Sequence, residues 1–141
     1  MDEAFIQRLE SSFNLIAPRG EELVQRFYTN LFARYPQVRG MFPQDMSQQR
    51  KKLLASIVLV VRSLRDPERL QNALEEMGRR HHDYGTKPEH YPLVRDTLLD
   101  VMAEIAGDAW NDQLQADWTA ALNHVAGVMI DAQKQAAAAS A

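Results

Sequence analysis

The stretch LQNALEEMGRRHHDYGTKPEHYPLV, residues 70–94, decides how the rest of the chain is read. Leu70, Leu74, Met77 and His81 recur at steps of four, three and four, the spacing of one helical face, so an imidazole stands in line with an apolar stripe. Arg79 and Arg80 fall in the last turn, where cations oppose the helix dipole; Gly85 supplies a residue on which helices stop, and Pro88 lies just beyond. The pattern predicts a helix that ends about one turn after His81 and aims that side chain inward. A buried neutral imidazole keeps one ring nitrogen for a metal while a carbonyl or hydroxyl holds the other. A hydrogen-bonded core histidine is the plain alternative. His82, rotated about 100° around the helix, leaves the apolar face.

The chain has 141 residues, the size of one domain with a single core. A net charge of −3, with both signs scattered along the chain, argues against nucleic acid or anionic lipid as the main partner. The absence of cysteine excludes disulfides, zinc ribbons, iron–sulfur clusters, thiol nucleophiles and covalent haem attachment through Cys-x-x-Cys-His. Any metal must rest on His, Asp or Glu, or arrive within a cofactor. The N-terminus is charged, and the apolar run over 56–61 is too short to span a bilayer, so the expected location is cytoplasmic, with no membrane partner.

From the start, Phe5, Leu9, Phe13 and Ile16 mark a first amphipathic helix that Pro18 and Gly20 interrupt. A second, from about Glu21 to Tyr35, carries Leu23, Val24, Phe27, Tyr28, Leu31 and Phe32 on a wide apolar face. The segment PQVRGMFPQDM, 36–46, is too rich in Pro and Gly for a long helix and sets Phe42 on a turn or loop, where exposure would be odd. Ser47 is placed to cap a third helix reaching Leu64; its β-branched residues make a strand over 57–61 the rival, but the length of the pattern favours helix. Asp66-Pro67 opens the histidine helix. A fifth helix follows Glu89 and stops at Gly107-Asp108. A last one starts near Asn111 and fades into an alanine-rich tail, 136–141, that is expected to fray, leaving a domain over 1–135. The sequence shows no repeat and no glycine-rich phosphate loop.

An all-α chain of about seven helices thus brings three polar groups, Tyr28, Gln49 and His81, to inner faces of different helices. Each would cost on the order of 1–3 kcal/mol if left unpaired, and a cofactor pocket accounts for all three. The segments MGRRHHDYGTKPEHYPLV, RFYTNLFARYPQVRGMF and SQQRKKLLASI, at their order and spacing in the chain, resemble bacterial single-domain globins and the haem domain of flavohaemoglobins. The globin fold is a helical cofactor pocket. The resemblance covers nearly the whole chain and implies a globin fold around a non-covalent haem b.

It also implies roles for individual residues. His81 matches the proximal iron ligand, Phe42 the aromatic residue packed on the haem, Tyr28 and Gln49 the distal hydrogen-bond donors, Leu53 the apolar residue shaping the ligand site, and Tyr91 a proximal tyrosine. Lys52, Arg80 and Lys87 are candidates for the haem propionates, with a solvated charge as the alternative for each. A single neutral imidazole leaves the iron one open position for dioxygen, nitric oxide or another diatomic gas.

Reversible dioxygen binding for storage, delivery or scavenging is the implied function. The alternatives are nitric oxide dioxygenase activity, with electrons from an external reductase, and gas sensing. Gln133 stands where the flavohaemoglobin pattern has an acidic residue, which weakens a dedicated enzyme; Leu122 and Arg95 also depart from its commoner choices, and these departures bear on the proximal hydrogen-bond network rather than on the haem. A zinc site on His81, His82, Asp83 and His90 is the remaining alternative; those residues straddle a helix end without the i, i+4 pairing of a helical site.

Overall fold

A computed structural model describes residues 1–140 of the chain, and Ala141, the last of the alanine-rich tail, lies outside the described residues. Among the described residues six α-helices follow one another: α1 Glu3–Ile16, α2 Gly20–Arg34, α3 Ser47–Arg62, α4 Pro67–Asp83, α5 His90–Ala106 and α6 Asp112–Ser140. Three short 3₁₀ turns, Ala17–Arg19, Pro36–Met41 and Gly107–Ala109, make the corners. The β-branched stretch over 57–61 is helical, so the length of the apolar pattern outweighs local strand preference there. The alanine-rich run continues α6 as far as Ser140, in keeping with the high helix propensity of alanine.

The helix starts follow local chemistry. The Asp2 carboxylate accepts from the Phe5 N–H at 2.8 Å, and Asp66 accepts from Arg69 N–H at 3.1 Å, with Pro67 as first helical residue. The start of α3 departs from the expected serine cap: Ser47 is itself inside the helix, and its backbone N–H donates to Asp45 Oδ1 at 2.9 Å. The carboxylate two residues earlier takes the orphan donor, so the serine hydroxyl has no capping role.

The packing is unequal among the helices. α1 buries Ile6, Leu9, Phe13 and Ile16, with Phe5 only half-buried, and α2 buries Leu23, Val24, Phe27, Tyr28 and Leu31. α4 lies chiefly on α6, α2 lies on α3 and α5, and α3 and α4 barely touch each other. Gly78 permits the α4–α6 approach: a Cβ there would press on the Met129 carbonyl oxygen and lie 2.9 Å from both Met129 Cα and Ala132 Cβ. A second close approach joins α2 to α3, where a Cβ on Gly20 would meet Leu54 at 3.0 Å.

Polar ties between distant segments hold the outer helices. Arg8 of α1 grips Asp117 of α6 with both its Nε (2.6 Å) and Nη2 (3.1 Å), while the Trp118 indole donates to Ser12 Oγ at 2.9 Å. At the α3–α4 corner Arg65 forks to Glu3 and Glu10 of α1, each within 2.7 Å. Arg65 remains half exposed, so this pair of bridges contributes little more than a surface network does.

Candidate functional site: a histidine at a helix end and an aromatic cluster on α2

The C-terminus of α4 is closed by Gly85 in the left-handed region (φ 76°). Thr86 N–H donates to the His81 carbonyl and Gly85 N–H to that of His82, both at 3.1 Å, the paired bonds of a glycine-stopped helix. His81 therefore sits in the last regular turn, above a turn that is itself fixed. Its Nδ1 is 2.6 Å from the Met77 carbonyl oxygen. A carbonyl only accepts, so Nδ1 carries the proton and Nε2 keeps an unused lone pair. Burial holds the imidazole below its usual pKa and so favours the neutral form, while the bond to Met77 opposes that shift. The ring packs edge-on to Tyr84 at 5.7 Å and tilted to Tyr91 at 6.3 Å.

Around it, three elements are joined by one amide. Tyr91 Oη donates to Gln133 Oε1 at 2.8 Å, and Gln133 Nε2 donates to the Thr86 carbonyl oxygen. A carboxylate at 133 could accept from the tyrosine but would have nothing to offer the carbonyl. Burial pushes the Tyr91 hydroxyl up to about 12, so it remains a donor. Gln133 was visible in sequence only as a departure from a family pattern. Its bonds to Thr86 and Tyr91 span 47 and 42 residues and leave no local signal.

The geometry offers the zinc alternative no ligand set: His81 Nδ1 is committed to Met77 and His90 Nδ1 accepts from the Lys87 N–H at 3.0 Å, which leaves each ring only its Nε2. Among the described residues no three His, Asp or Glu side chains gather as a metal site. His82 is half-buried like His81, so burial does not separate the two; the ring packing and the bond to Met77 do.

A second group of the residues singled out in the sequence comes from α2, the 36–46 segment and α3. Tyr28 is buried, with Phe27 at 4.9 Å, Phe42 at 5.6 Å and Phe32 at 5.8 Å from its ring. Phe42 is thus half-buried against two aromatic rings, as a phenylalanine on an irregular segment requires. Gln49 Nε2 donates to Tyr28 Oη at 3.2 Å. Because the tyrosine oxygen accepts that bond, its own O–H remains free to donate elsewhere. Burial raises the Tyr28 pKa, the bond from Gln49 opposing, so the phenol keeps its proton.

Leu53 lies one turn beyond Gln49 on α3. This helix is unusual in that, of its residues, only Val61 is fully buried, while Leu53, Leu54, Ile57, Val58 and Val60 stay half-buried. An apolar helix wall that its own neighbours leave partly open suits a flat apolar group. Lys52, Arg80 and Lys87 are all exposed, and Arg80 is engaged with Glu76 at 3.3 Å. One feature that sequence reasoning missed is Arg39, whose guanidinium lies 4.8 Å over the Phe32 ring.

A family model described as globin matches residues 25–129. The chain belongs to the globin family. A globin-like protein of Aquifex aeolicus is 30% identical over 135 residues, 96% of each chain. A flavohemoprotein of Rhizobium meliloti is 27% identical over 118 residues, which are 82% of this globin and 29% of that protein. The chain thus spans less than a third of that flavohemoprotein. Among solved structures, a carbene transferase engineered from a candidate nitric oxide dioxygenase of Rhodothermus marinus superposes with a TM-score of 0.88 at 27% identity, covering 99% of this chain and 97% of that one. The all-α globin fold expected from the sequence is therefore the observed one, with six α-helices and three 3₁₀ turns among the described residues where about seven helices were expected. Family membership implies that this globin binds haem and, through it, diatomic gases.

The residues present fit such a group. The chain offers an imidazole with a bare Nε2 at the end of one helix, a proton-bearing phenol on another, and a half-open apolar wall on α3. No helix among the described residues is long and apolar enough to cross a membrane.

Proposed function

We propose that this globin holds a haem b through His81 Nε2 and reversibly binds dioxygen, and other diatomic gases, for storage, delivery or scavenging. The observation that carries the proposal is the 2.6 Å contact between His81 Nδ1 and Met77 O, which fixes the tautomer with Nε2 as the free lone pair. His81 would hold such a haem, which would supply an iron able to take up a diatomic gas reversibly.

The rest is done by this chain's own groups. Met77 O and the closed turn at Gly85 hold the His81 ring in one orientation, and burial keeps it unprotonated. Tyr28 donates its O–H to the incoming gas, and Gln49, by donating to the same oxygen, orients and polarises that O–H. Phe42 and Leu53 line the cofactor and exclude water, Tyr91 braces the histidine side through Gln133, and Lys52, Lys87 and Arg80 are the cations for propionates, of which Arg80 is already paired with Glu76.

The name of the Rhodothermus neighbour favours one second reading, oxidation of nitric oxide, for which this chain would take electrons from a separate reductase. The test is spectroscopic. Purified protein titrated with haemin gives an intense Soret band saturating at one equivalent, and the reduced form takes up dioxygen and releases it under argon. Absence of a saturable Soret band contradicts the proposal. Rapid turnover of nitric oxide with a reductase present moves the assignment to the second reading.

A further inference from the structure

Arg39 stands out because, among the described residues, none of its contacts is with a carboxylate. Its Nη1 donates to the carbonyl oxygens of Phe42 at 3.3 Å and Pro43 at 3.0 Å, and its Nη2 to that of Gln44 at 3.3 Å. The guanidinium plane also covers the Phe32 ring, which lies 5.3 Å from the Phe42 ring. These three carbonyls belong to consecutive residues of the segment between the Pro36–Met41 turn and α3, where no regular element supplies hydrogen bonds. The Phe42 N–H, at 3.2 Å from Arg39 O, completes the ring of contacts.

We propose that Arg39 is the positioning residue for Phe42: by gathering three successive carbonyls it fixes the segment that presses Phe42 on Tyr28 and delivers Gln49 at the start of α3. Guanidinium is suited to this, since it is a rigid fork of five donors that also stacks on an aromatic face, whereas an ammonium offers a compact point charge. The clamp sets how tightly the aromatic wall closes over Tyr28 and so how uniform the surroundings of a bound gas are. This second step rests on the reading of Tyr28 and Phe42 as the lining of the haem pocket. Arg39 touches neither cofactor nor gas in this scheme and acts through Phe42.

Two variants test it, Arg39→Met, which keeps an apolar stem over Phe32 and loses the donors, and Arg39→Lys, which keeps the charge and stays decisive if the methionine variant unfolds. Arg62→Met, an exposed arginine of α3, is the control. Hydrogen exchange at the Phe42 and Ser47 amides, which donate to Arg39 O and Asp45 Oδ1, is read first on haem-free protein. Both variants are expected to exchange there at least tenfold faster than the parent, with α4 amides unchanged. In the reduced haem protein under carbon monoxide, the C–O stretching band is expected to broaden or split while the iron–histidine band of the gas-free form stays put. Loop exchange within twofold of the parent overturns the clamp, and a carbon monoxide band identical to the parent's overturns its control of the pocket. A parent that takes up no haem defeats the haem assignment, and the exchange measurement still decides on its own whether Arg39 holds the segment.

Discussion

Replacing Tyr28 by phenylalanine removes one oxygen atom from a ring that three neighbours hold in place. Phe27 at 4.9 Å, Phe42 at 5.6 Å and Phe32 at 5.8 Å remain to fix the substituted ring, so pocket shape changes little. The fold loses one long bond, 3.2 Å from Gln49, whose half-buried amide can turn to water. That loss is at most about 1 kcal/mol, partly offset because a buried hydroxyl no longer has to be desolvated. The melting temperature of Tyr28→Phe is therefore expected to move by no more than a few degrees.

The gas feels a larger effect. A hydroxyl donor to a ligand that gathers negative charge in a low-dielectric site is worth roughly 1–3 kcal/mol, or about 5- to 150-fold in dissociation rate. The assay is stopped-flow displacement of dioxygen by excess carbon monoxide, followed in the Soret region. Dioxygen release is expected to accelerate at least fivefold in Tyr28→Phe. Carbon monoxide release, from a ligand with little charge to stabilise, should shift much less. A dioxygen rate within twofold of the parent refutes the reasoning, and equal acceleration for both gases shows that the substitution opened the pocket rather than removed a donor.

Two further outcomes concern the scaffold. Gly78→Ala gains about 1 kcal/mol of helix propensity but drives a methyl into the Met129 backbone, which cannot swing aside; a net loss of about 1–3 kcal/mol is expected by chemical denaturation, and a stabilised variant contradicts the close α4–α6 approach. Arg8 holds the Asp117 carboxyl below the usual carboxylate range, the bond from Gln113 adding to the effect. With the native pKa depressed, the stability this pair contributes is present above about pH 4 and is lost as pH falls through the native value. Arg8 is 40% exposed while Asp117 is 4% exposed, so the pair is worth less than a buried one. Asp117→Asn is expected to cost about 1–2 kcal/mol at pH 7 and to converge on the parent in acid urea melts; a pH-independent difference argues against the ion pair as its source.

What the sequence made legible was short-range. The Leu70–Leu74–Met77–His81 stripe and the Gly85 stop involve residues within one or two turns; the helix ends on Gly85 as the spacing predicts, with Leu70 and Leu74 buried and Met77 and His81 half-buried. Asp66-Pro67 likewise starts α4 by chemistry confined to four residues. Ser47 shows where local reading slips, because two candidate side chains lay within two residues and Asp45 took the donor.

Contacts across the fold were not legible. Arg8 and Asp117 are separated by 109 positions, Gln133 meets a backbone carbonyl 47 residues away, and no periodicity marks either. Arg39 lay inside a Pro- and Gly-rich segment, and nothing in the sequence distinguished a bond to Asp45 from the backbone carbonyls and the Phe32 ring that it meets in the structure. The half-open wall of α3 could not be seen either, since its sequence reads as an ordinary buried helix and only tertiary packing leaves it partly uncovered.

The central claim is that the His81 imidazole, held through Nδ1 by Met77, gives its Nε2 to iron. Its most direct test is the low-frequency resonance Raman spectrum of the reduced, gas-free haem protein, compared between the parent and His81→Gly with and without free imidazole. An iron–histidine band in the parent that disappears in His81→Gly and returns when imidazole fills the vacated space is the expected result. A band that persists unchanged in His81→Gly without imidazole contradicts the account.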